Sequence, residues 1–591
     1  MARPSPPMPV RSLWRHARPY LRWYGGGMVA LLGTNALALA IPWVLKDAVD
    51  AIEGGAAIAA VGRHAAAIAL LAVVQGVVRT ISRLLILGAS RRIQYDVRQE
   101  FFAHLQELGA TFYDRNRTGD VMSRAVNDLN LLRGLYGPGI MNLLNTAIVY
   151  VAATVLMLRL DVSLTLASLA IVPVLLLAVN RLSRRVYHRS REVQERLGEI
   201  STRVQENLSG IQQIHTFVQE AREIAEFRTL ADGYRGANLG LARIRGWMVA
   251  AIGVFSGIGM LIVLVMGGRA VVTGRMSFGD FVAFQAYLAM LTWPTVALGW
   301  ILNTFQRGVG AMERVDEVLT EVPDIPPPDR ASDPERRLRG DIEFRQLTFA
   351  YEGPEDGVRR PSLHGVSLSI PAGSRVALVG PVGSGKSTLV NLIARVYPAP
   401  PGTLFLDGID VVDLPVAAVR GSIAYVPQEA FLFSRSIREN IALGDPEASD
   451  DDVERAVGLA RLARDVERFP EGLGTVVGER GVTLSGGQRQ RATLARAAIG
   501  DRPILILDDS LSAVDADTER AILNELDGVM EGRTTILVSH RLTTLAGFDR
   551  IVVLDDGRVV EDGSHDQLLA NDGLYAHLWR RHRLEAELEA R

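Results

Sequence analysis

Two segments far apart in this 591-residue chain carry the residue types of phosphate chemistry. The first, RVALVGPVGSGKSTLV, runs from an apolar strand (Val376–Val379) into Gly380-x-x-x-x-Gly385-Lys386-Ser387 and then into a helix start. Glycines at such positions let main-chain N–H groups turn inward around phosphates, and the helix N-terminus adds its positive end. Gly380, Gly383, Ser384, Gly385, Lys386, Ser387 and Thr388 are thus expected to hold a nucleoside triphosphate. Lys386 would reach the β- and γ-phosphates as a point charge, and Ser387 would ligate Mg²⁺. The second segment, ILILDDSLSAVD (Ile504–Asp515), is a buried strand that ends on two aspartates. Asp508 is expected to hold the same Mg²⁺ through water. The next residue should polarise the attacking water, and Asp509 stands there in place of the expected glutamate.

Two further motifs fit this chemistry. LSGGQRQR (Leu484–Arg491) is a glycine turn entering a helix, whose first N–H groups suit another phosphate. His540 ends the strand TTILVSH and is placed to sense a γ-phosphate. Lysine occurs at Lys46 and Lys386 alone, all other basic side chains of this type being arginine, so one of two lysines stands in the phosphate loop. The absence of cysteine excludes disulfides, thiol nucleophiles and Cys-type zinc sites. A net charge of −2 gives no global attraction to nucleic acid, and no nucleic-acid partner is expected.

The elements that position these residues fall in two halves. A helix needs about 20 apolar residues to cross a bilayer. Five uncharged stretches meet that requirement or nearly so: Trp23–Leu45, Gly134–Leu158, Val162–Asn180, Gly246–Gly268 and Phe281–Gln306. A sixth, Ala65–Val78, continues through Arg79 and Arg83 to Ser90. Six spans are therefore expected, at about 23–45, 64–88, 135–159, 162–181, 246–270 and 280–306. The segments 91–133 and 181–245 are long, helical in pattern and rich in arginine, and the connections between the other span ends are short and carry few positive charges. The positive-inside rule puts the N-terminus and both long segments in the cytoplasm. Arginines and aromatics alternate in RSLWRHARPYLRWY, as in a segment lying in the membrane interface. The apolar stretch after it is too long for a signal peptide, so retention is expected.

Arg79 and Arg83 share one face of the second span, either snorkelling to the interface, pairing with neighbouring helices or forming a basic cavity wall. Pro42, Pro173 and Pro294 are possible kinks. Between Glu321 and Gly340 a proline-rich charged passage reads as a linker, and beyond it short β-rich runs alternate with helical patterns, as in an α/β domain.

With these motifs in place, the chain resembles a half-transporter of the ATP-binding cassette exporter family over essentially its whole length. The resemblance implies an α-helical transmembrane domain (1–320) with six spans and long cytoplasmic extensions, fused through a linker (321–340) to an α/β P-loop nucleotide-binding domain (341–591). It implies ATP and Mg²⁺ as ligands. It casts Tyr351 as the aromatic that stacks on adenine and Gln428 as the glutamine that touches Mg²⁺. Leu484, Ser485, Gly486, Gly487 and Gln488 become the signature that acts on the partner subunit's ATP. Glu479-Arg480-Gly481 fits the stretch exporters place before that signature, and Asp515 the loop crossing to the partner. Phe112–Arg124 and Asn207–Glu220 resemble coupling regions.

Family members act as dimers with two ATPs between the domains, so a second half-transporter subunit, membrane lipids and an amphiphilic or lipid-like substrate are the expected partners. Efficient members carry glutamate where this chain has Asp509. In heterodimeric exporters one subunit carries aspartate there and keeps an intact LSGGQ. The resemblance therefore favours a heterodimeric multidrug-type exporter of the cytoplasmic membrane with one slow site, Asp509 and His540 being its catalytic residues. A homodimeric lipid or lipopeptide flippase is the alternative, with an ATP-gated channel or membrane regulator behind it. On the last span Gln285, Tyr287, Trp293 and Asn303 are candidates to line the pathway or to pack between helices.

Overall fold

The computed structural model describes residues 9–325, 336–351, 361–478, 481, 483–510 and 516–589. The chain divides into two compact units. One holds the residues up to Gln106 together with Gly119–Glu321, and the other holds Glu107–Thr118 together with Val322 onward.

The first unit is helical. Among the described residues six helices are long and apolar enough to cross a membrane: Val10–Glu53, Ile58–Glu107, Thr118–Leu160, Val162–Ser209, Glu220–Val272 and Phe278–Leu319. Helices are the form that satisfies every main-chain polar group within the segment, as hydrocarbon demands. Pro42 and Pro294 lie inside continuous helix. Pro173 follows a break at Ala170, in a first turn where its missing N–H costs nothing. The opening helix, Pro9–Ala17, turns Ser12 and His16 inward, where Ser12 Oγ donates to Asp316 at 2.7 Å and His16 Nε2 lies 2.9 Å from Glu100. Trp14 remains outside, as an interfacial anchor would.

The end of the first span is fastened to the start of the sixth. Ser277 and Asp280 form a capping box, and Lys46 pairs with Asp280 at 2.7 Å. Asp50 accepts from Gly279 N at 2.8 Å and from Ser277 Oγ at 3.1 Å. Gly279 is obligatory in this knot, since a Cβ there would stand 2.4 Å from the Asp50 carboxylate and from the Lys46 carbonyl. The chain's other lysine is thus structural. With side chains only 22% and 20% exposed, the pair lies between an exposed bridge worth under about 1 kcal/mol and a buried one costing about 3–5 to break. Lys46→Met is expected to destabilise the chain by about 1–3 kcal/mol, and Lys46→Met with Asp280→Leu to recover most of that. Unfolding in detergent measures both, and equal stability of all three proteins would count against the pairing.

Among the described residues the second unit contains two sheets. A four-stranded antiparallel sheet has the order β2-β1-β4-β5, with β1 Ile342–Phe349, β2 Leu363–Ile370, β4 Leu404–Leu406 and β5 Ile409–Asp410. A six-stranded sheet has the order β10-β9-β3-β8-β7-β6. Its members are β3 Arg375–Val379, β6 Ile423–Val426, β7 Ile504–Asp508, β8 Thr534–Val538, β9 Arg550–Asp555 and β10 Arg558–Gly563. Only β10 pairs antiparallel. Strands β7 and β8 are buried at every position, which explains their apolar runs Ile504–Leu507 and Ile536–Val538, because a parallel sheet is covered on both faces. Register pairs Leu378 with Val538 and Val538 with Asp508, so β3, β8 and β7 end side by side at their carboxyl ends. Ligands of open α/β sheets bind outside that edge.

Residues 107–118, which the sequence reading counts in the first half, pack with this second unit. Asp114 accepts from the Tyr397 hydroxyl at 2.9 Å, and Gly109 lies against Asp324.

Candidate functional site

Strand β3 delivers the chain into the phosphate loop, and the loop into helix α1, Lys386–Ile393. Gly380 and Gly385 have φ of +147° and +98°. A Cβ at Gly380 would lie 2.0 Å from the Leu554 carbonyl, and one at Gly385 2.8 Å from that of Ser362. No other residue type passes these points, which fixes the curvature of the loop. Lys386, 5% exposed, donates through Nζ to the Gly380 carbonyl at 2.9 Å, to Pro381 O at 2.8 Å and to Ser384 Oγ at 3.2 Å. Burial holds its pKa below the usual lysine range, and the carboxylates of Asp509 and Asp508 oppose that shift.

Ser387 Oγ, in the first turn of α1, donates to Asp508 Oδ1 at 3.0 Å. A hydroxyl and a carboxylate converging here make an all-oxygen pair of the kind that holds Mg²⁺ together with substrate phosphates. The residues therefore fit that ion. Burial raises the Asp508 pKa, with Ser387 acting against it.

Asp509 departs from ordinary strand geometry, with φ +45°. Its main-chain N–H donates to Val538 O at 2.9 Å, and its carboxylate receives the His540 main-chain N–H. Burial raises its pKa, while His540, Lys386 and Arg541 pull it back. The His540 imidazole is shifted down by burial and then by Lys386, which favours a neutral ring at pH 7. Lys386, Ser387, Asp508, Asp509 and His540 thus form one electrostatic cluster.

The Tyr351 hydroxyl donates to Thr388 Oγ1 at 3.0 Å, which ties the aromatic to α1. Its ring meets Phe349 and Tyr397 edge to face, with centroids 5.2 and 5.0 Å away, and keeps 37% exposure. Gln428 is exposed at the bend after β6.

The signature residues stand on a different helix end. Ser485 caps helix α2, Gly486–Ala498, by accepting from Gln488 N at 3.2 Å, and Gln488 Oε1 accepts in return from Ser485 N at 2.9 Å. Leu484 is buried in the core, and Gln488 Nε2 donates to Asp465 at 2.9 Å. The first turn has no acidic residue and opens with two glycines, so the Gly486 and Gly487 N–H groups and the positive helix end are left for an anion. The arginines behind it are structural. Arg491 pairs with Asp465 at 2.9 Å, and Arg496 donates to the carbonyls of Asn440 and Phe431 at 2.8 and 3.0 Å. Glu479, Arg480 and Asp515 lie outside the described residues.

Sequence reasoning missed two members of this neighbourhood. Tyr425 of β6 donates to Asn391 Oδ1 at 2.9 Å and sits close enough to Asp508 to feel its charge. A tyrosine inside a buried strand must satisfy its hydroxyl, and that was the available signal. Asp465, which holds both Gln488 and Arg491, carried no signal at all, since it is brought there by tertiary packing.

In the first unit, Tyr287 is buried with its hydroxyl on Leu39 O at 2.8 Å, whereas Trp293 and Asn303 are exposed. Gln285 lines a cavity of about 200 Å³ with Ser168, Phe255 and Thr292.

Comparison with known proteins gives a consistent picture. Residues 25–295 match the family model described as ABC transporter transmembrane region, and residues 363–512 match that described as ABC transporter. The chain is 33% identical to the probable multidrug resistance ABC transporter ATP-binding/permease protein YheI of Bacillus subtilis, over 97% of each chain. It is 34% identical to the multidrug resistance-like ATP-binding protein MdlA of Escherichia coli, over 98% of this chain and 97% of that one. Among solved structures, a bacterial Atm1-family ABC exporter with ATP bound superposes with a TM-score of 0.78 at 31% identity, covering 95% of this chain and 99% of that one.

Proposed function

The chain belongs to the ABC transporter family, and on that premise we propose that it is the slow-site half of a heterodimeric exporter of amphiphilic or hydrophobic compounds. It is a multi-pass membrane protein with a cytoplasmic ATP-binding domain, and its ATPase is coupled to export as in its relatives. The multidrug names of those relatives support an amphiphilic cargo.

The observation that carries the asymmetric reading is Asp509. In the proposed role it polarises the attacking water, one methylene shorter than glutamate, with its main-chain N–H held by Val538 O and its carboxylate by the His540 N–H. In the proposed roles, Lys386, the loop amides, Ser384 and Thr388 bind the triphosphate, and Tyr351 stacks on adenine. Ser387, Gln428 and Asp508 would hold Mg²⁺, which supplies charge neutralisation on the phosphates. Asp509 orients water weakly, and His540, as a neutral ring, contacts the γ-phosphate. The Ser485–Gln488 helix end completes the fast site on the partner's ATP.

One observation favours a homodimer instead. Aspartate tolerates positive φ better than most residues, so Asp509 would also suit this backbone on conformational grounds alone. Co-expression with a candidate partner half-transporter separates the readings. Under the proposal the chain purified alone hydrolyses ATP weakly, and the co-purified pair hydrolyses it at least about tenfold faster and drives dye uptake into inverted vesicles. Brisk turnover by the chain alone would overturn it.

A further inference from the structure

Polar side chains from three largely apolar spans converge on one spot. Between Trp23 and Leu45, apart from Tyr24 at its start, the first span has hydroxyl or amide side chains only at Thr34 and Asn35. The only amides of the third span within Ile140–Leu160 are Asn142 and Asn145. The second span contributes Gln75, Arg79 and Arg83, at the four-residue spacing of one helix face. All of these line a single cavity of about 170 Å³, in which Leu31 and Met141 are the apolar members.

The amides are already engaged. Asn35 Nδ2 donates to Asn145 Oδ1 at 3.0 Å and to Leu31 O at 2.9 Å, and Asn142 Nδ2 donates to Pro138 O at 2.8 Å. The two guanidiniums are different. Among the described residues neither has a hydrogen-bond or carboxylate partner. The sequence explains why, since no Asp or Glu occurs from Gly54 to Tyr95, from Leu129 to Leu160, or between Trp23 and Leu45. Arg79 stands nine residues before Gly88, about 14 Å at 1.5 Å per residue from the cytoplasmic end of its span, and Gln75 lies a turn deeper. That is too far for simple snorkelling, and ionisable side chains at such depth face a cavity and a counter-charge.

A second cavity, of about 700 Å³, meets the first at Asn35 and is mainly apolar, with Leu32, Leu39, Trp43, Ile148 and Tyr287 in its wall and Arg159 as its one charged member. The polar cavity is smaller than the ~300 Å³ at which drug-sized pockets begin. It suits a head group, and the apolar cavity suits a chain. We propose that Arg79 and Arg83 bind the phosphate or carboxylate head of an anionic amphiphile whose hydrocarbon tail lies against Trp43. This names a substrate class for the exporter and rests on the reading that the chain is one.

Trp43 supplies the measurement. In phosphatidylcholine nanodiscs, a bromoalkyl phosphate is expected to quench Trp43 at concentrations at least about tenfold lower than the bromoalkyl alcohol of equal length. Trp43→Phe identifies that tryptophan's share of the signal. Arg79→Gln with Arg83→Gln should abolish the preference for phosphate, and Arg79→Lys with Arg83→Lys should keep most of it. Discs containing brominated phosphatidic acid form a second arm. Quenching there assigns the head group to a bilayer lipid, quenching by the added phosphate alone assigns it to a soluble amphiphile, and either result supports the shared chemistry.

Equal quenching by phosphate and alcohol in the unaltered chain overturns the inference, as does an undiminished preference in the double glutamine variant. If that variant does not fold, the phosphate-to-alcohol comparison and the lysine variant decide. ATPase of the same discs keeps the two readings apart: activity without charge preference defeats only the anion site, whereas no activity with any partner defeats the exporter reading.

Discussion

Asp509→Glu is expected to raise ATP hydrolysis at the site built on Lys386 by about 10²-fold. The extra methylene moves the carboxylate outward by about 1 Å, and a misplacement of that size costs on this order in rate, or about 2.7 kcal/mol of barrier. Main-chain adjustment cannot supply the missing reach. The Asp509 N–H is held on Val538 O at 2.9 Å, the residue sits at φ +45°, and the His540 N–H holds the carboxylate from the other side. Glutamate tolerates this backbone less well than aspartate, so the variant should lose up to about 1 kcal/mol of stability while gaining rate. Opposite signs on the two quantities distinguish a catalytic effect from a general improvement of the fold. Single-turnover hydrolysis in the complex, with the partner's own site disabled, reads the rate, and thermal unfolding reads the stability. An unchanged rate beside vigorous wild-type activity would mean that Asp509 already works through an intervening water, as a homodimer requires.

Local chemistry was legible in the sequence wherever it was contiguous. Gly380 to Ser387 names its own strand, loop and helix, because each residue's task is set by the next. The carboxyl-end cluster was legible for the same reason, since Asp508 ends the apolar run Ile504–Leu507 and His540 follows the strand TTILV by one serine. What pairs with what across the fold was less accessible. Nothing in the sequence says that Lys46 closes on Asp280, or that Asp465 supports Gln488, because these contacts join segments far apart in the chain. Tyr351 shows a different limit. The family resemblance cast it as the aromatic on adenine, but the bond to Thr388 and the edge contacts with Phe349 and Tyr397 depend on where α1 lies. Residues 107–118 carry helical patterning that continues the second span, and only their packing reveals that they belong with the ATP-binding unit. The convergence of Asn35, Arg79 and Asn145 was likewise invisible, because helix rotation decides which polar residues of separate spans meet.

Gly487→Asp in this chain is expected to cost the assembled transporter at least about 10²-fold in steady-state ATPase, whereas Asp509→Asn in the same complex should cost less than about threefold. The contrast follows from where each residue acts. Gly487 lies in the first turn of α2, capped by Ser485 and free of acidic side chains, where N–H donors and the helix dipole face outward. A carboxylate placed there occupies those donors and sets a negative charge against an incoming phosphate. Removal of a preorganised donor set at a developing anion costs about 10²–10³ in rate. Under the proposed asymmetry that loss falls on the fast site, which this chain completes for its partner. Asp509→Asn falls on the slow site, which contributes little to the total. Nucleotide binding at this chain's own loop should survive Gly487→Asp, because Lys386, Ser387 and Asp508 are untouched, and a fluorescent ATP analogue checks that the cassette is still folded. A symmetric pair gives a different result, since every site would then contain both residues and the two variants would be crippled alike. Equal losses would therefore assign the chain to a homodimer, and a large loss confined to Gly487→Asp would place the faster chemistry on the partner's phosphate loop.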